Sequence, residues 1–113
     1  MKSPVTTHVL DTARGQPAAG VPVVLEQETA GGFTRVGQGA TDADGRLLTL
    51  LKPGALTEGV YRLTFEVGGY FRALGAPAFW RDVSIEFVVR DASAHYHVPL
   101  LVSPFGYSTY RGS

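Results

Sequence analysis

The chain has only three histidines, His8, His95 and His97, and the last two are separated by one residue. Imidazole changes charge near neutral pH, so such residues can move protons or bind metal. In an extended segment His95 and His97 share a face with Pro99 and Leu101, whereas Val98, Leu100 and Val102 take the other face and read as core. His97 therefore lies on a face not committed to an interior, and His8 also falls in mid-strand. An exposed or hydrogen-bonded imidazole accounts for each one singly. A His-x-His pair with a distant third histidine also matches a zinc pattern. No carboxylate or further histidine stands at ligand spacing, so no metal is expected. A second group is Thr41-Asp42-Ala43-Asp44-Gly45-Arg46. Its Asp-x-Asp-Gly run resembles the start of a calcium loop, but the twelfth position holds Pro53 instead of the required glutamate. A hairpin turn explains Asp42 to Gly45. It leaves Arg46 at the start of the next strand, where a guanidinium could grip a planar, electron-rich ligand. The third group is the ending, Tyr110-Arg111-Gly112-Ser113. A phenol, a guanidinium, a glycine, a hydroxyl and the terminal carboxylate fall within four residues. Such a tail is either a fraying strand end or part of a site.

These groups need a scaffold, and the pattern along the chain supplies one. At 113 residues the chain reads as one domain, 1–113, able to bury roughly two-thirds of its unfolded surface. Period-two segments dominate. Strands are expected over Val5–Leu10, Val21–Glu28, Phe33–Ala40, Arg46–Leu51, Gly59–Val67, Val83–Arg90, Tyr96–Val102 and Tyr107–Arg111, with one or two helical turns over Tyr70–Leu74. Fourteen glycines and seven prolines punctuate them. About eight short strands at regular spacing predict an all-β sandwich. Ten basic and ten acidic residues balance, which gives no electrostatic footprint for nucleic acid or an anionic membrane. The apolar run Leu47-Leu48-Thr49-Leu50-Leu51 is far too short to span a bilayer. With no cysteine, disulfides, thiolate zinc sites and a cysteine nucleophile are excluded. Met1-Lys2-Ser3-Pro4 has no apolar stretch behind it, and a cytoplasmic location is the expectation.

Two stretches carry a family resemblance. Thr7-His8-Val9-Leu10-Asp11-Thr12-Ala13-Arg14-Gly15 with Pro17-Ala18 resembles the N-terminal signature of transthyretin-related proteins. Tyr96-His97-Val98-Pro99-Leu100-Leu101 and Ser103-Pro104-Phe105-Gly106-Tyr107-Ser108-Thr109-Tyr110-Arg111-Gly112-Ser113 resemble the C-terminal one. The likeness runs from about Thr6 to Ser113. The family has a hormone-carrier branch, transthyretin, and an enzyme branch, 5-hydroxyisourate hydrolase. His8, Arg46, His97 and the terminal Tyr-Arg-Gly-Ser match the enzyme branch. Phe79-Trp80-Arg81-Asp82-Val83 departs from the family's usual aromatic-aromatic-Pro-Glu-Val, away from those four positions.

The resemblance implies a transthyretin-like sandwich of two four-stranded sheets with one short helix near Tyr70–Leu74. It implies a homotetramer, a dimer of dimers, with active sites in a channel between dimers. The implied substrate is 5-hydroxyisourate, opened by water to 2-oxo-4-hydroxy-4-carboxy-5-ureidoimidazoline, without metal or organic cofactor. His97 would be the general base, oriented by Ser113. Arg46 would hold carbonyl oxygens and developing charge, His8 would bond substrate or water, and Tyr110 would contact the ring. The roles of His8 and His97 could be exchanged. The alternative, a transthyretin-like small-ligand carrier without catalysis, leaves these residues without a task.

Overall fold

Alternating side chains sort the strands into two layers. In the segment Gly59–Phe65, Tyr61, Leu63 and Phe65 are buried while Val60, Arg62 and Thr64 between them are only partly so. In Tyr96–Ser103, Val98, Leu100 and Val102 are buried in the same core. The computed structural model describes residues 3–113; Met1 and Lys2, part of the N-terminal stretch read above, lie outside the described residues. Along the chain come β1 (Val5–Asp11), β2 (Gln16–Pro17), β3 (Pro22–Thr29), β4 (Gly32–Ala40), β5 (Arg46–Leu47), β6 (Gly59–Phe65), helix α1 (Val67–Ala73), β7 (Val83–Val89), β8 (Tyr96–Ser103) and β9 (Gly106–Thr109).

One sheet has the order β4-β3-β6-β7, antiparallel throughout. The other has the order β2-β1-β8-β9, and β5 also pairs with β1. The second sheet thus carries two two-residue strands, β2 and β5, side by side on one edge of β1. This is one strand more than the four expected. Its centre is a parallel pair, β1 with β8, which sets Thr6 opposite His97 and His8 opposite Pro99. Val5 and Val9 of β1 and Val98, Leu100 and Val102 of β8 face Val23, Leu25, Leu63, Phe65 and Val83 of the other sheet across a close-packed core.

Helix α1 begins three residues before the expected Tyr70. Gly68 and Gly69 open it, and glycine is a poor helix former. Packing overrides that preference. A Cβ on Gly68 would lie 2.8 Å from the Arg81 carbonyl oxygen, so only glycine lets the loop before β7 lie on the helix. The Gly68 N–H donates to that same carbonyl (2.9 Å). Val67 and Phe71 bury the helix's inner face, and the Tyr70 hydroxyl donates to Asp11 Oδ2 at the end of β1 (2.8 Å). Strand β5 stops after two residues because its continuation finds another partner. The Ser3 N–H donates to the Leu48 carbonyl (3.1 Å) and the Leu51 N–H to Ser3 Oγ (2.9 Å), so the apolar run folds over Ser3 instead of extending along β1.

Candidate active site

Sheet register brings the dispersed polar residues together. Residues directly opposite each other on paired strands point to the same face. Because β5 pairs His8 with Arg46 and β8 pairs Thr6 with His97, the side chains of Thr6, His8, Arg46 and His97 all leave the outer face of the β1–β8 sheet. Strand spacing puts His8 and His97 roughly 8 Å apart at the backbone, one strand across and two residues along. That gap is suited to a small planar molecule.

Each group is anchored differently. The His8 Nε2–H donates to the Asp44 carbonyl (2.9 Å), which fixes the ring and makes Nδ1 its accepting nitrogen when neutral. The turn that supplies this carbonyl is built by Asp42, whose Oδ1 accepts from the N–H groups of Asp44 (2.8 Å) and Arg46 (3.0 Å). Asp42 therefore shapes a turn, as the Asp-Gly reading expected, and the Arg46 side chain stands exposed at its end. Among the described residues no group of three or more His, Asp or Glu side chains is arranged to hold a metal. The rings of His95 and His97 stack at 6.5 Å with a 14° tilt and converge on one hydroxyl, Thr6 Oγ1. It lies 2.8 Å from His97 Nδ1 and 3.0 Å from His95 Nε2. Thr6 is buried although it points outward, because these rings cover it.

The C-terminal tail is pinned to the sheet. Strand β9 ends at Thr109, where Pro99, which has no N–H, interrupts the ladder. The Thr109 hydroxyl takes the Pro99 carbonyl (2.7 Å), and the register continues unbroken: Leu100 faces Thr109 and His97 faces Gly112. The Gly112 N–H donates to the His97 carbonyl (2.8 Å). The value of this glycine lies in its lack of a side chain. Its φ is outside the left-handed region, but a Cβ would sit 2.6 Å from His97 Cδ2. Arg111 donates to the His95 carbonyl (3.1 Å) and covers the Tyr96 ring at 4.4 Å. Tyr110, opposite Pro99 in this register, is 57 % exposed, and Ser113 lies exposed one residue past the bridge. Sequence reasoning singled out His8, Arg46, His97 and the tail. It missed the task of Thr6 and the turn of His95 toward it. The one available signal was that Thr6 shares a strand face with His8.

A two-sheet sandwich with two imidazoles, a guanidinium and an ordered C-terminus on one open face has the equipment of a proton-transferring hydrolase. The chain belongs to the HIUase/transthyretin family, whose model matches residues 5–112. A 5-hydroxyisourate hydrolase of Deinococcus radiodurans is 50% identical over 113 residues, spanning 96% of this chain and 95% of the relative. Among solved structures, sea bream transthyretin in complex with thyroxine superposes with a TM-score of 0.91 at 32% identity, covering 97% of this chain and 95% of that one. The 5-hydroxyisourate hydrolase of Klebsiella pneumoniae gives 0.84 at 38% identity, covering 96% and 98%. The chain has the transthyretin-like fold, and the hydrolase relatives make it an enzyme.

Proposed function

We propose that the chain hydrolyses 5-hydroxyisourate to 2-oxo-4-hydroxy-4-carboxy-5-ureidoimidazoline in urate breakdown. The observation that carries this reading is the convergence of His8, Arg46 and His97 on one sheet face, with the tail laid across His97. The relatives named 5-hydroxyisourate hydrolase supply the substrate. His97 acts as general base on water. Its Nδ1 is held by Thr6, and the ring's other nitrogen, Nε2, takes the proton. The His8 Nε2–H is committed to the Asp44 carbonyl, and His8 serves as a fixed partner for substrate or water. The Arg46 guanidinium binds ring carbonyl oxygens and stabilises the oxyanion as it forms. Tyr110 borders the bound ring, and Ser113 orients the water or the base from the terminus. Neither metal nor organic cofactor enters this scheme, because the ring carbonyl is itself electrophilic.

Assembly into a homotetramer completes the site in this proposal. Strands β7 and β9 end their sheets beside one shared cleft, and among the described residues their outer edges pair with no further strand. This cleft, of about 250 Å³, is lined by Ile85, Phe87, Val98 and Arg111. Pairing of such edges joins two copies, and stacking of two dimers turns the flat outer faces into a channel. A cytoplasmic location belongs to the same proposal, and fractionation checks it. The function is tested by incubating the chain with 5-hydroxyisourate made in place from urate and following the products by mass spectrometry. Hydrolysis adds one water and gives a carboxylate. Recovery of unchanged ligand bound to the protein would instead favour a carrier. His97→Ala should lose about 10²–10⁴-fold in kcat, the usual worth of a positioned general base.

A further inference from the structure

Thr6 is 1% exposed, yet its hydroxyl bonds two imidazoles, one half-buried and one exposed. A hydroxyl has one proton, so it donates to one ring and accepts from the other. Two arrangements satisfy both bonds. In the first, His95 Nε2–H donates to Thr6 and Thr6 donates to His97 Nδ1, which leaves His97 neutral with its proton on Nε2 and no use as a base there. In the second, His97 Nδ1–H donates to Thr6 and Thr6 donates to His95 Nε2, which makes His97 Nε2 the basic atom. The hydrogen bond at one ring nitrogen sets which form the other takes. Only the second arrangement suits the proposed chemistry.

We propose that Thr6 is a positioning residue that holds the proton of His97 on Nδ1 and links it to His95 as the outlet for the proton taken from water. The inference rests on the hydrolase reading above and adds two residues to it. The steps balance. The water oxygen bonds to the ring carbonyl carbon while one water proton passes to His97 Nε2. The Nδ1 proton moves to Thr6 Oγ1 as the Thr6 proton moves to His95 Nε2, and exposed His95 releases its Nδ1 proton to solvent. The ring C–N bond then breaks, and the leaving nitrogen takes the second water proton. The product is a carboxylate, and one proton leaves per turnover. The relay ends in the first arrangement, and it returns to the second when His95 Nδ1 takes a proton from solvent, the protons step back through Thr6 to His97 Nδ1, and His97 gives its Nε2 proton to water, with no net change in proton count. The backbone supports the chain at both ends: Arg111 ties the His95 carbonyl and Gly112 the His97 carbonyl. The stacked rings are thereby held at a fixed separation.

Three measurements on the full chain test this. In ¹⁵N nuclear magnetic resonance of the wild type, neutral His97 should carry its proton on Nδ1; in Thr6→Val that preference should disappear. In steady-state kinetics Thr6→Val, which keeps shape but removes the hydroxyl, should lower kcat by about 10- to 100-fold with KM within about threefold. That is the scale seen when partners that orient metal-bound imidazoles are removed. Thr6→Ser, which keeps the hydroxyl, should stay within about threefold of wild type, and His95→Phe should lower kcat in the same direction as Thr6→Val. A wild-type kcat in Thr6→Val, a Thr6→Ser as damaged as Thr6→Val, or a wild-type His97 protonated on Nε2 would each overturn the proposal. Should Thr6→Val fail to fold, the wild-type spectrum and Thr6→Ser still decide it. The two readings fail separately. A wild type inactive on 5-hydroxyisourate removes the hydrolase reading, while the resonance experiment still reports whether Thr6 sets the His97 proton.

Discussion

Gly112→Ala isolates the contact between the C-terminal tail and His97. The added Cβ would lie 2.6 Å from His97 Cδ2 and 3.3 Å from Cγ, where carbon atoms ordinarily rest about 3.5–4.0 Å apart. Roughly 1 Å must be found, and there are two ways to find it. The ring can swing, which stretches the 2.8 Å bond between Thr6 Oγ1 and His97 Nδ1. Otherwise the tail can lift, which breaks the 2.8 Å bond from the Gly112 N–H to the His97 carbonyl. Backbone strain contributes nothing, because Gly112 is outside the left-handed region. Either movement displaces a site element by about 1 Å, a misplacement that costs on the order of 10²-fold in rate. In free energy that is about 2.7 kcal/mol of lost transition-state stabilisation. Stability should change far less. At most one tail hydrogen bond is lost, a net of about 0.5–1.5 kcal/mol, and the core does not include the tail. The assay pairs kcat on 5-hydroxyisourate with a thermal melt. A variant that keeps kcat within about threefold would refute the idea that the tail's close approach serves the site. A variant that loses activity only because it unfolds would show that the tail is chiefly structural.

Two further outcomes follow from other parts of the molecule. Arg46→Met removes the exposed guanidinium while the Arg46 N–H that builds the turn remains; kcat should fall by roughly 10²–10³-fold, the cost of one oxyanion donor, while the denaturation midpoint stays near wild type, and an active variant would remove Arg46 from the mechanism. Tyr70→Phe leaves the buried Asp11 carboxylate without its 2.8 Å partner and should cost about 1–3 kcal/mol by urea denaturation. Burial, and then the bond to Asp11, hold the Tyr70 phenol above its ordinary value of 10.0. A raised folded-state value gives stability that is complete below pH 10 and is lost as pH climbs through the folded value. Tyr70→Phe should therefore flatten the alkaline loss of stability, and an unchanged alkaline slope would count against this link between helix and β1.

The sequence exposed its layers where one face of a strand is apolar and the other is not. Tyr61, Leu63 and Phe65, and Val98, Leu100 and Val102, could be assigned to a core from alternation alone, and all six are buried. The outward placement of His8 and His97 followed from the same alternation. What alternation cannot carry is which strands pair and in what register. The parallel pairing of β1 with β8 is what sets Thr6 against His97, and it joins residues 91 positions apart. Local pattern also failed where a distant partner overrode it. The expected helix starts at Tyr70, yet the observed one starts at Val67, where the Arg81 carbonyl takes the space a Gly68 side chain would fill. Leu47 to Leu51 looked like strand, but Ser3 takes the backbone groups of Leu48 and Leu51. The tail read as either frayed or functional. The question turned on Pro99, whose missing N–H ends β9 early while the register carries on to Gly112.

The central claim is that this sheet face opens the 5-hydroxyisourate ring. It is tested most directly by generating 5-hydroxyisourate from urate with urate oxidase and recording its ultraviolet decay with and without the chain. Decay should speed up in proportion to added protein, and the acceleration should shrink by about 10²–10⁴-fold when His97→Ala is used at the same concentration. Decay that is unchanged by the wild-type protein would contradict it.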